Sequence, residues 1–284
     1  MLSKIYSSAI IGVDAYIVEV EVDVGDGLPS FDIVGLPDTG VKEATKRVRS
    51  AIKNSEFKFP ARKITVNLAP ADIKKEGPSF DLAIALGILA ATEQLNSANL
   101  SKFIIMGELA LDGRIRRING ALPIAILSSA KEKELIVPFD SAGEASIVSG
   151  LNVYPLKNLY QTVEFLNSKL EIECVAADIE GILSQSSVYD VDFSEVKGQY
   201  NVKRSLEIAA AGGHNCLLIG PPGAGKTMLA RRIPTILPQM SFNEAIETTK
   251  LHSIVGLVPA GQSLIATRPF RSPHHTVSDV ALVQ

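Results

Sequence analysis

Between positions 18 and 24 four valines alternate with Glu19, Glu21 and Asp23, the period-two pattern of a strand with one buried and one solvated face. The acidic side is read as the solvated face; a metal site is the sharper alternative. Shorter apolar runs predict strands at 31–35, 64–68, 103–106, 135–137 and 151–154. Helical spacing takes over between them. After Pro37 and Asp38, the residues Val41, Ala44, Val48, Ala51 and Ile52 recur on one helix face, with Lys42, Lys46, Arg47 and Arg49 on the other. Positions 80–91 predict a buried helix, and further helices are expected from Pro123 and over 159–166. Residues 107–120 read as a turn-rich passage. Strands interleaved with helices make this an α/β pattern.

The pattern changes after 168. Residues 168–195 are acidic and serine-bearing without strong periodicity, and read as a connection between domains. The expected division is a first domain over 1–168, a linker over 169–190 and a second domain over 191–284. A helix over 202–211 leads to Gly212 and Gly213. Residues 215–219 then form a short apolar run of the kind that makes a buried parallel strand, with Cys216 packing inside it as a small apolar group.

The next eight residues carry the clearest chemistry. Gly220-Pro221-Pro222-Gly223-Ala224-Gly225-Lys226-Thr227 matches G-x-x-x-x-G-K-[ST] in full, with helical sequence following from Met228. The glycines let the backbone wrap a polyanion with its amide hydrogens turned inward. The positive end of the following helix adds to the attraction. Lys226 is expected to neutralise the terminal phosphates of ATP, and the Thr227 hydroxyl to ligate Mg²⁺. Without a ligand, the same residues would be a glycine-rich turn. An acidic residue ending a second buried strand, which hydrolysis requires, is not found after Thr227, so no catalytic residue is assigned.

Composition narrows the field. The 284 residues suit two domains, and 46% hydrophobic with 21% charged residues excludes global disorder. The longest apolar run, ten residues at 82–91, is too short to cross a bilayer, so no membrane partner is expected. Cys174 and Cys216 cannot alone make a disulfide framework or a zinc site, and the expected location is the cytoplasm. Net charge is −3, but residues 191–284 hold nine basic against six acidic side chains, and residues 1–190 hold 19 against 25. That asymmetry fits an anion-handling C-terminal part.

Three stretches carry a family resemblance. They are Gly35-Leu36-Pro37-Asp38 with its helix, Val196-Lys197-Gly198-Gln199 continuing through Glu207 to His214 into the phosphate loop, and Arg268-Pro269-Phe270-Arg271-Ser272-Pro273-His274-His275-Thr276. In these the chain resembles the magnesium-chelatase-like AAA+ ATPases of the ComM/YifB family, over its whole length. The resemblance implies an N-terminal Lon-protease-type α/β domain followed by the first part of an AAA+ P-loop NTPase domain. It also implies a homo-oligomer, a hexameric ring, and an ATP-dependent DNA helicase. Such a helicase drives branch migration on single-stranded or branched DNA during natural transformation or recombination. Val196 and Gly198 would border the adenine. The family's acidic metal-holding motif, sensors and arginine finger would lie beyond Gln284, so the AAA+ part is expected to be truncated.

The segment Lys75-Glu76-Gly77-Pro78-Ser79-Phe80 looks like the serine loop of Lon-type proteases, whose serine needs a desolvated lysine. The position matching that lysine is Pro123. Lys74 and Lys75 are expected in an exposed loop with protonated amines, and Ser79 is expected to cap the helix over 80–91. The fold would then persist without proteolysis. Near the other end, Arg268, Phe270, Arg271, His274 and His275 suit single-stranded DNA, the arginines meeting phosphates and the ring stacking on a base. A hairpin with merely solvated charges is the plainer reading. His214 is expected in a strand-entry hydrogen bond, and Arg231 with Arg232 in a solvated or subunit-facing patch. The rival functions are a magnesium-chelatase-type ATPase subunit, a nucleotide-binding module without turnover, and a Lon-type ATP-dependent protease.

Overall fold

The computed structural model describes residues 1–184, 189–259 and 261–272. The chain divides into two compact units, Met1–Asp178 with Glu247–Leu264, and Ile179–Ile246 with Ile265–Gln284.

Unit 1 is built on a seven-stranded sheet. Its strands are β1 (Leu2–Ile11), β2 (Asp14–Gly25), β3 (Ser30–Val34), β4 (Lys63–Ala69), β5 (Phe103–Ile105), β8 (Glu134–Pro138) and β9 (Val153–Leu156), in the order β3-β4-β2-β1-β5-β8-β9. Between β5 and β8 a separate hairpin of β6 (Glu108–Leu109) and β7 (Ile115–Arg116) occupies the turn-rich passage. The main sheet is mixed. β2 pairs antiparallel with β1 and β4, whereas β3–β4, β1–β5, β5–β8 and β8–β9 are parallel. The alternation in β2 works as expected, with Val18, Val20, Val22 and Val24 at most 3% exposed. Its acidic side chains meet cross-strand partners: Glu19 pairs with Lys4 at 2.5 Å, and Asn67 Nδ2 donates to Glu21 at 2.8 Å.

Helices α1 (Thr39–Lys42) and α2 (Ala44–Asn54) follow β3, and α3 (Asp81–Ala91) follows β4. All eleven residues of α3 are buried, as an all-apolar helix requires. Its close approach to the sheet depends on Gly87, where a Cβ would lie 2.5 Å from Val22 Cγ2. The one charge on this helix, Asp81, takes a bidentate contact from Arg47 of α2, at 2.6 Å from Nε and 3.0 Å from Nη2, and a third bond from the Leu109 amide. Burial pushes the Asp81 carboxyl up against the pull of that guanidinium. Helices α4 (Ala121–Ala130), α5 (Phe139–Ala145) and α6 (Leu159–Leu166) complete the main part of the unit. A second apolar cluster, containing Ile104, Ile124, Leu135 and Val137, packs α4 and α5 against β5 and β8.

Several local expectations are corrected here. β1 and α5 carry no clear periodicity in sequence, and α4 begins two residues before Pro123. Ser79 does not cap α3. It lies in a 3₁₀ turn, Pro78–Phe80, and the Leu82 amide bonds instead to the Gly107 carbonyl at 3.0 Å. Lys75 is not an exposed cation. It is fully buried, its Nζ donating to the Pro70 and Ile73 carbonyls, and burial pulls its pKa below the usual lysine value. Its backbone bonds to Leu36 and Asp38 draw the side chain into the fold.

Unit 2 is helical, with α7 (Ile179–Ser184), α8 (Tyr200–Gly212), α9 (Lys226–Arg232) and the start of α10 (Phe242–Ile254). Phe193, Val196, Leu206 and Leu229 form a small apolar cluster in it. The apolar run at 215–219 is not a strand: Leu217 is 84% and Ile219 87% exposed. No neighbouring strand among the described residues supplies the hydrogen-bond ladder and the second face that a parallel strand needs. Cys216 is accordingly exposed rather than packed.

Helix α10 was also not signalled by sequence. From Glu247 onward it belongs to unit 1, where Ser253 Oγ donates to Glu144 and the Gly120 amide donates to the Ser253 carbonyl at 3.0 Å. Burial pushes the Glu144 carboxyl up. No helix among the described residues is long and apolar enough to cross a membrane.

Candidate functional site

The loop after residue 219 is short of side chains, so its shape rests on the backbone. Gly223 and Gly225 both adopt left-handed φ values, 80° and 81°, which side-chain-bearing residues resist. Gly225 is the N-cap of α9, so Lys226 is the first residue of that helix. The Lys226 ammonium folds across the loop and donates to the Gly220 and Pro221 carbonyls, each at 2.8 Å. Gly220, Pro221, Pro222, Gly223, Thr227 and Met228 are exposed, and Ala224, Gly225 and Lys226 are half-buried. The loop therefore presents backbone, one ammonium and one hydroxyl to solvent.

A second stretch reaches this loop. Gln199, itself left-handed with φ 50°, sits at the N-cap of α8 and its Nε2 donates to the Ala224 carbonyl at 3.3 Å. Gly198 beside it is exposed with φ 68°, whereas Val196 is buried in the small cluster with Leu206 and Leu229. The structure thus brings residues 196–199 and the loop together, although more than twenty positions separate them in sequence. Arg232, at the end of α9, pairs with Glu195 at 2.5 Å and donates to the Asp192 carbonyl, tying the helix to the same stretch. Sequence reading placed Arg232 in a solvated or subunit-facing patch; its contact with Glu195, 37 positions away, is what the local pattern cannot show. His214 is exposed and its amide closes the end of α8 on the Ala209 carbonyl.

The basic segment near the end is less uniform. Arg268 donates to the Pro238 carbonyl at 2.8 Å and pairs with Glu244 at 3.4 Å. Phe270 and Arg271 are exposed, and His274 and His275 lie outside the described residues.

Unit 1 holds a cleft of about 690 Å³ onto which Ser79 opens, along with Asp38, Glu76, Glu108, Arg117 and Asn119. No lysine lines it. The buried Lys75 ammonium is engaged by two carbonyls, so the cleft holds a serine without a neighbouring amine base. Asp38 shapes one wall by accepting from the Val41 amide at 2.7 Å and the Gly77 amide at 3.2 Å.

Known proteins sharing this sequence point in one direction. Residues 20–141 match the family model for subunit ChlI of Mg-chelatase, and residues 192–284 match the model for magnesium chelatase, subunit ChlI. The competence protein ComM of Haemophilus influenzae is 46% identical over 99% of this chain, and the uncharacterized protein YifB of Salmonella typhimurium 45% identical over 99%. The chain spans about half the length of these relatives, 55% in each case. An archaeal Lon protease of Methanothermobacter thermautotrophicus is 30% identical over 28% of this chain and 14% of its own. With both ChlI segments present and near-complete alignment to ComM and YifB, the chain belongs to the magnesium-chelatase ChlI-like family that includes those proteins.

Proposed function

We propose that this chain binds Mg-ATP through residues 220–227 and supplies the nucleotide-binding part of a DNA-acting AAA+ motor. The observation that carries the reading is the loop itself: two left-handed glycines, a lysine bridging the turn, and a helix that starts at that lysine. On this reading the Lys226 ammonium exchanges its carbonyl partners for the terminal phosphates, which as full anions attract it more strongly. The exposed Thr227 hydroxyl faces the metal side, and Gln199 holds the loop's shape while Gly198 lets the chain pass close to the base. Mg²⁺, which the Thr227 hydroxyl would help to hold, would supply neutralisation of the phosphate charge.

The larger assignment rests on kinship. The short archaeal Lon match and the lysine-free cleft around Ser79 support a Lon-like, non-proteolytic domain over 1–168; the linker over 169–190 and the nucleotide domain from 191 rest on the sequence pattern. The Haemophilus relative is named a competence protein, which favours work on incoming DNA; the hexameric ring and the cytoplasmic location are carried by the family resemblance alone. Hydrolysis is assigned to no residue of this chain. The ChlI matches favour a second reading, a chelatase-type ATPase subunit, which predicts nucleotide binding without DNA binding. Titration calorimetry with Mg-ATP tests the first step. Saturable binding that is lost in Lys226→Ala is expected; equal binding by parent and variant removes the proposal. Anisotropy of labelled branched DNA then separates motor from chelatase.

A further inference from the structure

The exposed face of α1 and α2 carries a single row of cations. Lys42 ends α1, and Lys46, Arg49 and Lys53 follow on α2 at spacings of four, three and four residues, which is one stripe of an α-helix. Glu43 joins the two helices with φ −68° and ψ −15°, so the row stays continuous. All four side chains are exposed, and none makes an ion pair among the described residues. Arg47, one position off the row, is the residue that takes Asp81 and Glu43 as partners. The opposite face, Ala44, Val48, Ala51 and Ile52, is buried in the core.

Two features make this row more than an ordinary solvated face. Residues 1–190 hold 19 basic and 25 acidic side chains, so four unpaired cations in line are a local reversal of the charge around them. Arg49 is also preset: its guanidinium lies 5.3 Å from the Phe59 ring, which packs against Phe31 at 6.1 Å. Lys42 to Lys53 spans about 16 Å at 1.5 Å per residue. That length runs beside roughly ten duplex phosphate charges at one per 1.7 Å. A bilayer is a poor match, because a membrane-surface helix must bury its apolar face in lipid and here that face is already in the core.

We propose that Lys42, Lys46, Arg49 and Lys53 form a track for the phosphodiester backbone of DNA, on unit 1 and separate from both the nucleotide loop and the Arg268–Arg271 segment. The proposal rests on the DNA-acting reading above and adds where the duplex is held. Contact is to phosphates alone, so the track is indifferent to base sequence. It ends at the C-terminus of α2, where Glu56 and Asp112 line a neighbouring pocket.

The test is fluorescence anisotropy of the full chain with a labelled 40-base-pair duplex from 50 to 200 mM salt. K42Q/K46Q/R49Q/K53Q is expected to bind at least about tenfold more weakly at 50 mM, with the slope of log K against log salt shallower by about 3 to 4. A control variant, K102Q/K131Q, removes exposed lysines elsewhere on unit 1 and is expected to keep the parent slope within about 0.5, well under the full loss of about 0.9 per charge. Equal affinity and slope in parent and quadruple variant overturn the track while leaving the DNA reading intact, and so does a per-charge loss as large in the control. Failure of the parent to bind duplex overturns both. Displacement of a labelled polyglutamate, but no duplex binding, would reassign the row to an acidic protein partner. An unchanged urea unfolding midpoint of unit 1 in the quadruple variant shows that its loss of DNA is not a loss of fold.

Discussion

Two apolar runs of similar composition meet opposite fates in this chain. Leu135, Ile136 and Val137 are fully buried in β8, between β5 and β9 in the sheet and under α4 and α5. Leu217 and Ile219 stand 84% and 87% exposed in the lead-in to the phosphate loop. Hydrophobicity alone does not make a strand; the ladder on each side and the layer on each face do. The units differ in the same way at larger scale. Unit 1 closes two clusters around a helix with no exposed residue, whereas unit 2 buries far fewer apolar side chains among the described residues, Phe193, Val196, Leu206 and Leu229 in one cluster and Met240, Ala245, Ile265 and Ala266 besides. Unit 1 should therefore supply the rigid scaffold, and unit 2 the low-stability region from which ligand-binding loops are drawn.

That contrast can be broken most severely at Asp81. Asp81→Ala leaves the Arg47 guanidinium without its buried partner and is expected to cost unit 1 about 3–5 kcal/mol, read from urea unfolding. A loss near zero would mean that the buried pair does not hold α2 to α3. Leu86→Ala, in the middle of the fully buried α3, is expected to cost about 4 kcal/mol, while Leu206→Ala in the smaller cluster should cost nearer about 2 kcal/mol because its surroundings can collapse. Hydrogen exchange reads the same difference without mutation: amides of α3 should exchange only through global opening, and those of α8 and α9 through cheaper local opening. Equal protection in all three helices would erase the contrast.

A smaller effect is pH-dependent. Glu144 is raised, so the folded unit binds more protons than the unfolded chain just above the ordinary carboxylate value. The stability it contributes is complete below that value and is lost as pH rises through the folded one. Glu144→Gln should flatten this part of the curve of unfolding midpoint against pH; an unchanged curve would show that burial leaves the carboxyl unperturbed. The least change is expected at the surface, where Glu19→Gln removes the exposed contact to Lys4 and should leave the unfolding midpoint unmoved.

Much of unit 1 was legible because its signals are local. The valine alternation of β2, the spacing of Val41, Ala44, Val48, Ala51 and Ile52, and the boundaries of α6 all follow from which neighbours along the chain share a face. The tight glycine-rich loop at 220–227 and the helix that follows it were legible for the same reason, since a run of eight residues contains the glycines, the lysine and the hydroxyl. Arg47 and Asp81 are 34 positions apart, and Gln199 and Ala224 are 25 apart, so neither pairing leaves a trace in periodicity.

The amino-acid order by itself determined the α/β pattern of the first unit and the glycine-rich, lysine-bearing turn at 220–227, because covalent geometry translates spacing directly into faces and turns. Only the tertiary structure decided that Lys75 is buried against carbonyls, that Ser79 opens onto a cleft without an amine, and that Leu217 and Ile219 stay uncovered. Burial and pairing depend on what distant segments bring alongside, and a residue's own neighbours in sequence do not encode that.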